Sequence, residues 1–285
     1  MTACPFYLLN VFAETHFGGN PLAVFPYAND LTDRQMQLIA RQFNLSETVF
    51  IQDSTIQSAV KKLRIFTPTV ELPFAGHPTL GASFVIRHLF CQQDHYQLET
   101  LANLVEIQHR KSKISLILTC DVKSHEVNLS KADIASVLGL QEQDIAGIPV
   151  WVNTGTCHLL VQVSNRRAVK NCQVSTALFN QKLTTDFALK ECYIWFEQQG
   201  QVNARMFFEQ YGAVLEDPGT GSAAANLGGW YILQQKVPIQ LAISQGDELG
   251  RPNRLSLQVD EQQRIWVGGN VIEVAKGEFI LPPTP

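Results

Sequence analysis

Two stretches of the chain set the same residue types at the same spacing. Glu71-Leu-Pro73-Phe-Ala-Gly76-His77 and Glu216-Asp-Pro218-Gly-Thr-Gly221-Ser222 both read E-x-P-x-x-G, at an offset of 145 residues, about half the chain. Each follows an Arg-apolar-Phe segment, Arg64-Ile-Phe66 in one case and Arg205-Met-Phe207 in the other. Each also precedes small residues of helical character, Ala82-Ser83 and Ala223-Ala224-Ala225. A Pro-Gly loop that opens a helix exposes backbone N–H groups with no intrahelical acceptor, at the positive end of the helix dipole. The chemistry on offer is anion binding, by a substrate carboxylate or a developing enolate. Duplication at this period implies two similar domains. If the halves face each other, both helix starts meet at one cleft.

The elements that must carry these loops follow from periodicity. Phe6–Val11 is apolar and aromatic and reads as a strand, with a turn at Gly18-Gly19-Asn20-Pro21 and a short return strand, Leu22–Phe25. Thr32-x-x-Gln35 fits a capping box before a helix bearing Met36, Ile39, Ala40 and Phe43, which should stop near Asn44. Thr48–Gln52 and Lys62–Phe66 read as strands, and His77-Pro78 as the start of a helix through Leu89. Ser130 caps a short helix that Gly139 ends, and Val150–Val163 splits into two strands at Asn153-Thr154-Gly155. Asp217-Pro218 opens a second Gly/Ala-rich helix, and strands return from Gln240 to Leu281. Long strand runs with one central helix per half predict an α+β fold rather than alternating βαβ units.

Composition excludes several classes. The 285 residues hold 22 Lys+Arg against 26 Asp+Glu, a net charge of −4, with no basic stripe for nucleic acid. No uninterrupted apolar span suits a membrane, and no cationic run precedes the first apolar segment, so the chain reads as cytoplasmic. Six scattered cysteines (4, 91, 120, 157, 172 and 192) show no C-x-x-C or zinc spacing and read as reduced, mostly buried thiols, with no metal expected. The sequence leaves a homodimer open. Gly219-x-Gly221-x-x-Ala224 matches a dinucleotide fingerprint formally, but Glu216-Asp217-Pro218 stands where the preceding buried strand is needed. Cys157-His158 is no nucleophile pair if both lie in a strand, because adjacent side chains leave on opposite faces.

In order along the chain, Asn20-Pro-Leu-Ala-Val24, Ser46-Glu-Thr-Val-Phe50, Phe74-Ala-Gly-His-Pro78 and Glu216-Asp-Pro-Gly-Thr-Gly-Ser-Ala-Ala224 resemble the phenazine biosynthesis PhzF-like family. Gln245-Gly246, Gly250-Arg251-Pro252 and Val267-Gly-Gly269 extend the resemblance toward the C-terminus. It implies a diaminopimelate-epimerase-like fold: two pseudo-symmetric halves, each a curled antiparallel sheet around a central helix. The halves are expected at 1–118 plus a C-terminal strand at about 272–285, and at 119–271. It also implies a cofactor-independent isomerase that moves a proton within a small carboxylic acid bound between the halves. By resemblance Glu47 is the general acid/base, His77 and Asp217 assist, and Asn20, Gly76, Gly221 and Ser222 bind substrate.

Read on its own, Glu47 sits where the Met36–Phe43 helix hands over to a strand, a joint that can hold a carboxylate rigidly and partly desolvated. Asp217 before Pro218 also suits a helix N-cap. Racemases and epimerases of this fold use a thiol at the start of each central helix, and neither loop here has a cysteine. Inversion needs a base on one face and an acid on the other, whereas one carboxylate on one face suits an allylic proton shift. The alternatives are a racemase, epimerase or dehydratase of a modified amino acid, and a non-catalytic binding protein of the same fold.

Overall fold

The computed structural model describes residues 2–183 and 190–282; the terminal residues of the expected first half, 1 and 283–285, lie outside them. The chain forms two compact units, Met1–Leu118 with Val267–Pro285, and Thr119–Trp266.

In the first unit a ring of strands surrounds one helix. Thr2–Val11 pairs antiparallel with Asn20–Phe25 and with the last strand, Ile265–Leu281. Asn20–Phe25 runs parallel to Thr48–Gln52, which pairs antiparallel with Ala59–Phe66. Ala59–Phe66 is parallel to His95–Glu99, which leads antiparallel through Leu104–Arg110 to Lys113–Leu118. Lys113–Leu118 pairs with Ile265–Leu281, which closes the ring. The Gly76–Leu89 helix inside buries Gly76 through Ser83 without a break. Gly81 permits that fit, since a Cβ there would stand 2.3 Å from Leu22 Cδ2.

The second unit repeats the order of pairings. Val150–Asn153 is antiparallel to Cys157–Gln162, which is parallel to Glu191–Gln198. Glu191–Gln198 is antiparallel to Gln201–Gln210, and that strand is parallel to Ile239–Gln245. The Gly221–Leu233 helix packs on this sheet, with Ala223 through Gly229 buried. The expected halves are thus mixed sheets rather than antiparallel ones. The parallel neighbours arise because segments containing helices carry the chain over between them, and a hairpin cannot join parallel strands. Among the described residues, no helix is long and apolar enough to cross a membrane.

Local signals behave as their chemistry predicts. Thr32 and Gln35 form the capping box and Asn44 ends that helix at φ 51°. Ser130 caps Lys131–Leu138, and Gly139 ends it in the left-handed region. Two helices not anticipated from periodicity, Arg166–Asn171 and Thr176–Lys182, are short and capped by Asn165 and Ser175. The second central helix begins at Gly221 with Thr220 as N-cap residue, not at Asp217-Pro218. Asp217 is instead the last residue of the strand Ala213–Asp217, held by its ladder with Met206.

The structure explains the repeated Arg-x-Phe and Glu. Each Glu lies opposite the Phe in a short antiparallel return, Glu71 against Phe66 and Glu216 against Phe207. Arg205 Nε and Nη2 donate to both oxygens of Glu216 at 2.9 and 2.7 Å, with the guanidinium 4.9 Å from the Phe207 ring centre. Arg64 makes the same bidentate pair with Glu71 and lies 5.5 Å from the Phe66 ring centre. These brackets fix the strand return that delivers each Pro-Gly loop to its helix. Arg64 also has Asp33 at 2.9 Å, whereas Arg205 Nη1 donates to the Val169 and Cys172 carbonyls at 3.2 and 2.7 Å. Removing one partner of a buried pair costs about 3–5 kcal/mol. Glu216→Ala should therefore lose stability in that range by urea unfolding, and Glu71→Ala distinctly less, because Asp33 remains on Arg64.

Candidate active site

In the first unit, Glu47 and His77 come together from separate elements. The left-handed turn at Asn44 ends one helix and sends the chain into Thr48–Gln52, leaving Glu47 at the strand entrance with its side chain 16% exposed. His77 is the second residue of the central helix, its ring almost fully buried, and its Nε2 lies 3.4 Å from Glu47 Oε2. Burial pushes the His77 pKa down to about 3, because a charged imidazole there would lose its hydration. At neutral pH the ring is therefore uncharged, and its contact with Glu47 is polar rather than ionic. Asn20 opens its strand fully buried, opposite Val11.

The helix start beside this pair is unusual within the chain. Asp33–Phe43, Lys131–Leu138, Arg166–Asn171 and Thr176–Lys182 are each capped by a side-chain oxygen. The two central helices are not: Ala75 and Thr220 make no side-chain cap hydrogen bond. The first-turn N–H groups at Gly76 and His77, and at Gly221 and Ser222, are thus available to an anion.

In the second unit the Asp217 loop is locked by side chains. Thr220 Oγ1 donates to Asp217 Oδ2, and Gln245 Nε2 donates to the Asp217 carbonyl and to Thr220 Oγ1, both at 2.9 Å. Gly219 packs so closely on Asn253 that a Cβ would sit 2.3 Å from its Oδ1. Gln245 thus braces the loop. Asp217 does not cap the following helix.

The sequence reading missed a second buried pair. His158 Nε2 lies 3.0 Å from Glu191 Oε2 at the starts of neighbouring parallel strands, His158 being completely buried. Glu191 rises to about 8 through burial and then the charge of Asp217. Its signal in sequence would have been its place one residue before the strand partner of Phe207, the place Glu47 holds relative to Phe66. The thiols of Cys157 and Cys172 do not suit acid/base work, because burial pushes both up to about 12.

Residues 9–277 match the family model described as phenazine biosynthesis-like protein. An uncharacterised isomerase of Pasteurella multocida is 52% identical over 99% of this chain and 96% of its own length. The trans-2,3-dihydro-3-hydroxyanthranilate isomerase of Pseudomonas aeruginosa is 30% identical over 97% of this chain and 99% of its own. The crystal structure of a phenazine biosynthesis protein of the PhzF family from Bacillus anthracis superposes with a TM-score of 0.88 at 23% identity, over 99% of this chain and all of that one.

Both buried histidines bear on acid stability. Unfolded histidine takes up a proton near 6.5, whereas His77 and His158 stay neutral in the fold down to about 3. Between those values the unfolded chain binds more protons, so stability rises with pH across the window and is lost as pH falls through it. Unfolding free energies measured from pH 7 to 4 should fall, and the slope should be shallower in His77→Gln.

Proposed function

This chain belongs to the phenazine biosynthesis-like protein family and is an isomerase, and from that premise we propose that it moves a proton within a small cyclic carboxylic acid, with Glu47 as its acid and base. The observation that carries the reading is the Glu47–His77 pair beside an uncapped helix start. One carboxylate at the end of a rigid strand, 3.4 Å from an uncharged imidazole, can take a proton from carbon and return it at another position. The free N–H groups at Gly76 and His77 supply donors to the carboxylate, or to the enolate that forms as the C–H bond breaks. His77, being neutral, stands beside Glu47 without supplying a counter-charge to it. Asn20 belongs to substrate binding in the first unit and Gly221 and Ser222 in the second, where Asp217 also assists the proton movement. No step calls for a cofactor.

Two observations support this chemistry over a two-thiol racemisation. No cysteine stands in the first turn of either central helix. The buried thiols hold their protons, where a thiol base must give its up.

The relative from Pseudomonas aeruginosa is named for trans-2,3-dihydro-3-hydroxyanthranilate, a cyclic carboxylate of the proposed class, and this compound is the first to assay. Glu47→Gln should lower kcat by about 10²–10⁴-fold with KM little changed, since it keeps the shape and removes the exchangeable proton. Single Cys→Ala changes should leave the rate nearly intact. Product formed in deuterated water should carry label at one carbon to the extent that Glu47 exchanges its proton. An active Glu47→Gln enzyme, or inactivation by alkylation of one cysteine, would overturn the reading.

A further inference from the structure

Asp217 sits in more side-chain bonding than its turn requires. The repeated loop leaves its strand at Leu72 in the first unit and at Asp217 in the second, and the helices begin at Gly76 and Gly221. The N-cap residues Ala75 and Thr220 are both extended, and their carbonyls accept the N–H of Thr79 and of Ala224. The first unit therefore makes this junction with Leu72 and Ala75 where the second has Asp217 and Thr220. Neither polar side chain is needed for the turn, and nor is the glutamine that joins them.

Gln245 ends the strand Ile239–Gln245 and is fully buried. Its amide is oriented by two backbone groups that can each bond in only one sense. The Thr220 N–H donates to Oε1 at 3.3 Å, and the Asp217 carbonyl accepts from Nε2 at 2.9 Å. A flipped amide would set donor against donor and acceptor against acceptor. The second Nε2 hydrogen goes to Thr220 Oγ1, also at 2.9 Å. A hydroxyl that accepts there sends its own proton elsewhere, and Thr220 sends it to Asp217 Oδ2.

The direction of this chain has two consequences. Asp217 Oδ2 must present a lone pair to the hydroxyl, so a proton carried by Asp217 sits on Oδ1. Threonine is also a residue type that commonly caps its own helix, yet Thr220 makes no such bond. Its hydroxyl is spent between Gln245 and Asp217 instead. All three groups of the chain are thus committed to holding one carboxylate oxygen.

We propose that Gln245 is a positioning residue for Asp217, acting through Thr220: the chain from amide to hydroxyl to carboxylate holds Oδ2 in place and confines the proton handling of Asp217 to Oδ1. The proposal rests on the part given to Asp217 in the reaction above.

The test is a double-mutant cycle with Asp217→Asn, read in kcat and KM on the compound named above, with urea unfolding of each variant. Thr220→Val keeps the shape and removes the hydroxyl, and Gln245→Leu removes the amide. Each should lower kcat by about 10–10²-fold with a smaller change in KM, since misplacing a reacting group by about 1 Å can cost about 10²-fold. Thr220→Ser keeps the hydroxyl and should retain most of the rate. In the Asp217→Asn background neither change should cost anything further, because residues that act through one group are not additive. If Gln245→Leu, which strips two backbone groups of their partner, does not fold, Thr220→Val decides, since an extended N-cap suits a β-branched residue. Independently of turnover, Thr220→Val should move one Gln245 side-chain amide proton upfield by NMR and leave the other, which stays on the Asp217 carbonyl. Both signals unmoved overturns the chain. Full kcat in Thr220→Val, or an undiminished loss in the Asp217→Asn background, overturns the positioning role and leaves Gln245 as a brace. Wild-type kcat in Asp217→Asn instead rejects the part given to Asp217, and an active Glu47→Gln enzyme rejects Glu47 as the acid and base.

Discussion

A buried helix can offer unpaired backbone groups only at its ends, because those along its length are spent on its own hydrogen bonds and only the first and last turns are left unpaired. Each unit of this protein is organised around that constraint. The Gly76–Leu89 and Gly221–Leu233 helices have small residues where the sheet presses on them, and a low polarity that no surface helix would need. Their starts are left uncapped while the peripheral helices are capped by Thr32, Ser130, Asn165 and Ser175. An uncapped start costs stability, on the order of 1 kcal/mol for a missing side-chain cap. Leaving two such starts at the positions of the repeated loops makes sense where something else donates the missing electron pairs.

Holding such a start in place falls to the Arg–Glu brackets. A bidentate guanidinium–carboxylate pair fixes direction as well as distance, and here it ties a strand to its return just before the Pro-Gly turn. Stacking on Phe66 and Phe207 shields each bracket from water. The bracket is built from residues of one hairpin and recurs in the same form in both units. The conformational lock on Asp217 is different in kind, since Gln245 reaches it from a distant strand and has no counterpart in the first loop's sequence.

The electrostatics of the two histidine–glutamate pairs rest on dehydration rather than attraction. Neither His77 nor His158 is charged at neutral pH, so neither offers its glutamate a counter-ion. The pairs differ in how firmly the ring is held. His158 is fixed by Asn226 at Nδ1, and Asn226 is fixed by the backbone of Thr154. Glu47 stands at the edge of its unit's core with part of its side chain exposed, and Glu191 is slightly more covered.

Much of this architecture was legible in the residues themselves. Capping boxes, left-handed stops at Asn44 and Gly139, and the paired E-x-P-x-x-G loops are local signals, set by bonds between residues three or four apart, and the folded chain keeps them. The motifs around Asn20, Glu47, His77 and Asp217 also placed the family. Three features depended on packing. Parallel pairing of neighbouring strands has no local signature, because it is decided by how a connection crosses the sheet. Asp217 looked like a helix cap and is a strand end, since the Met206 ladder and Gln245 outcompete the local N-cap geometry. His158 and Glu191 meet only when two parallel strands align their starts, and the His158 ring is held by an asparagine from a helix some seventy residues further on. Local bonding wrote the elements and the loops; the alignment of distant strands decided which buried groups face each other, and therefore which of them are charged.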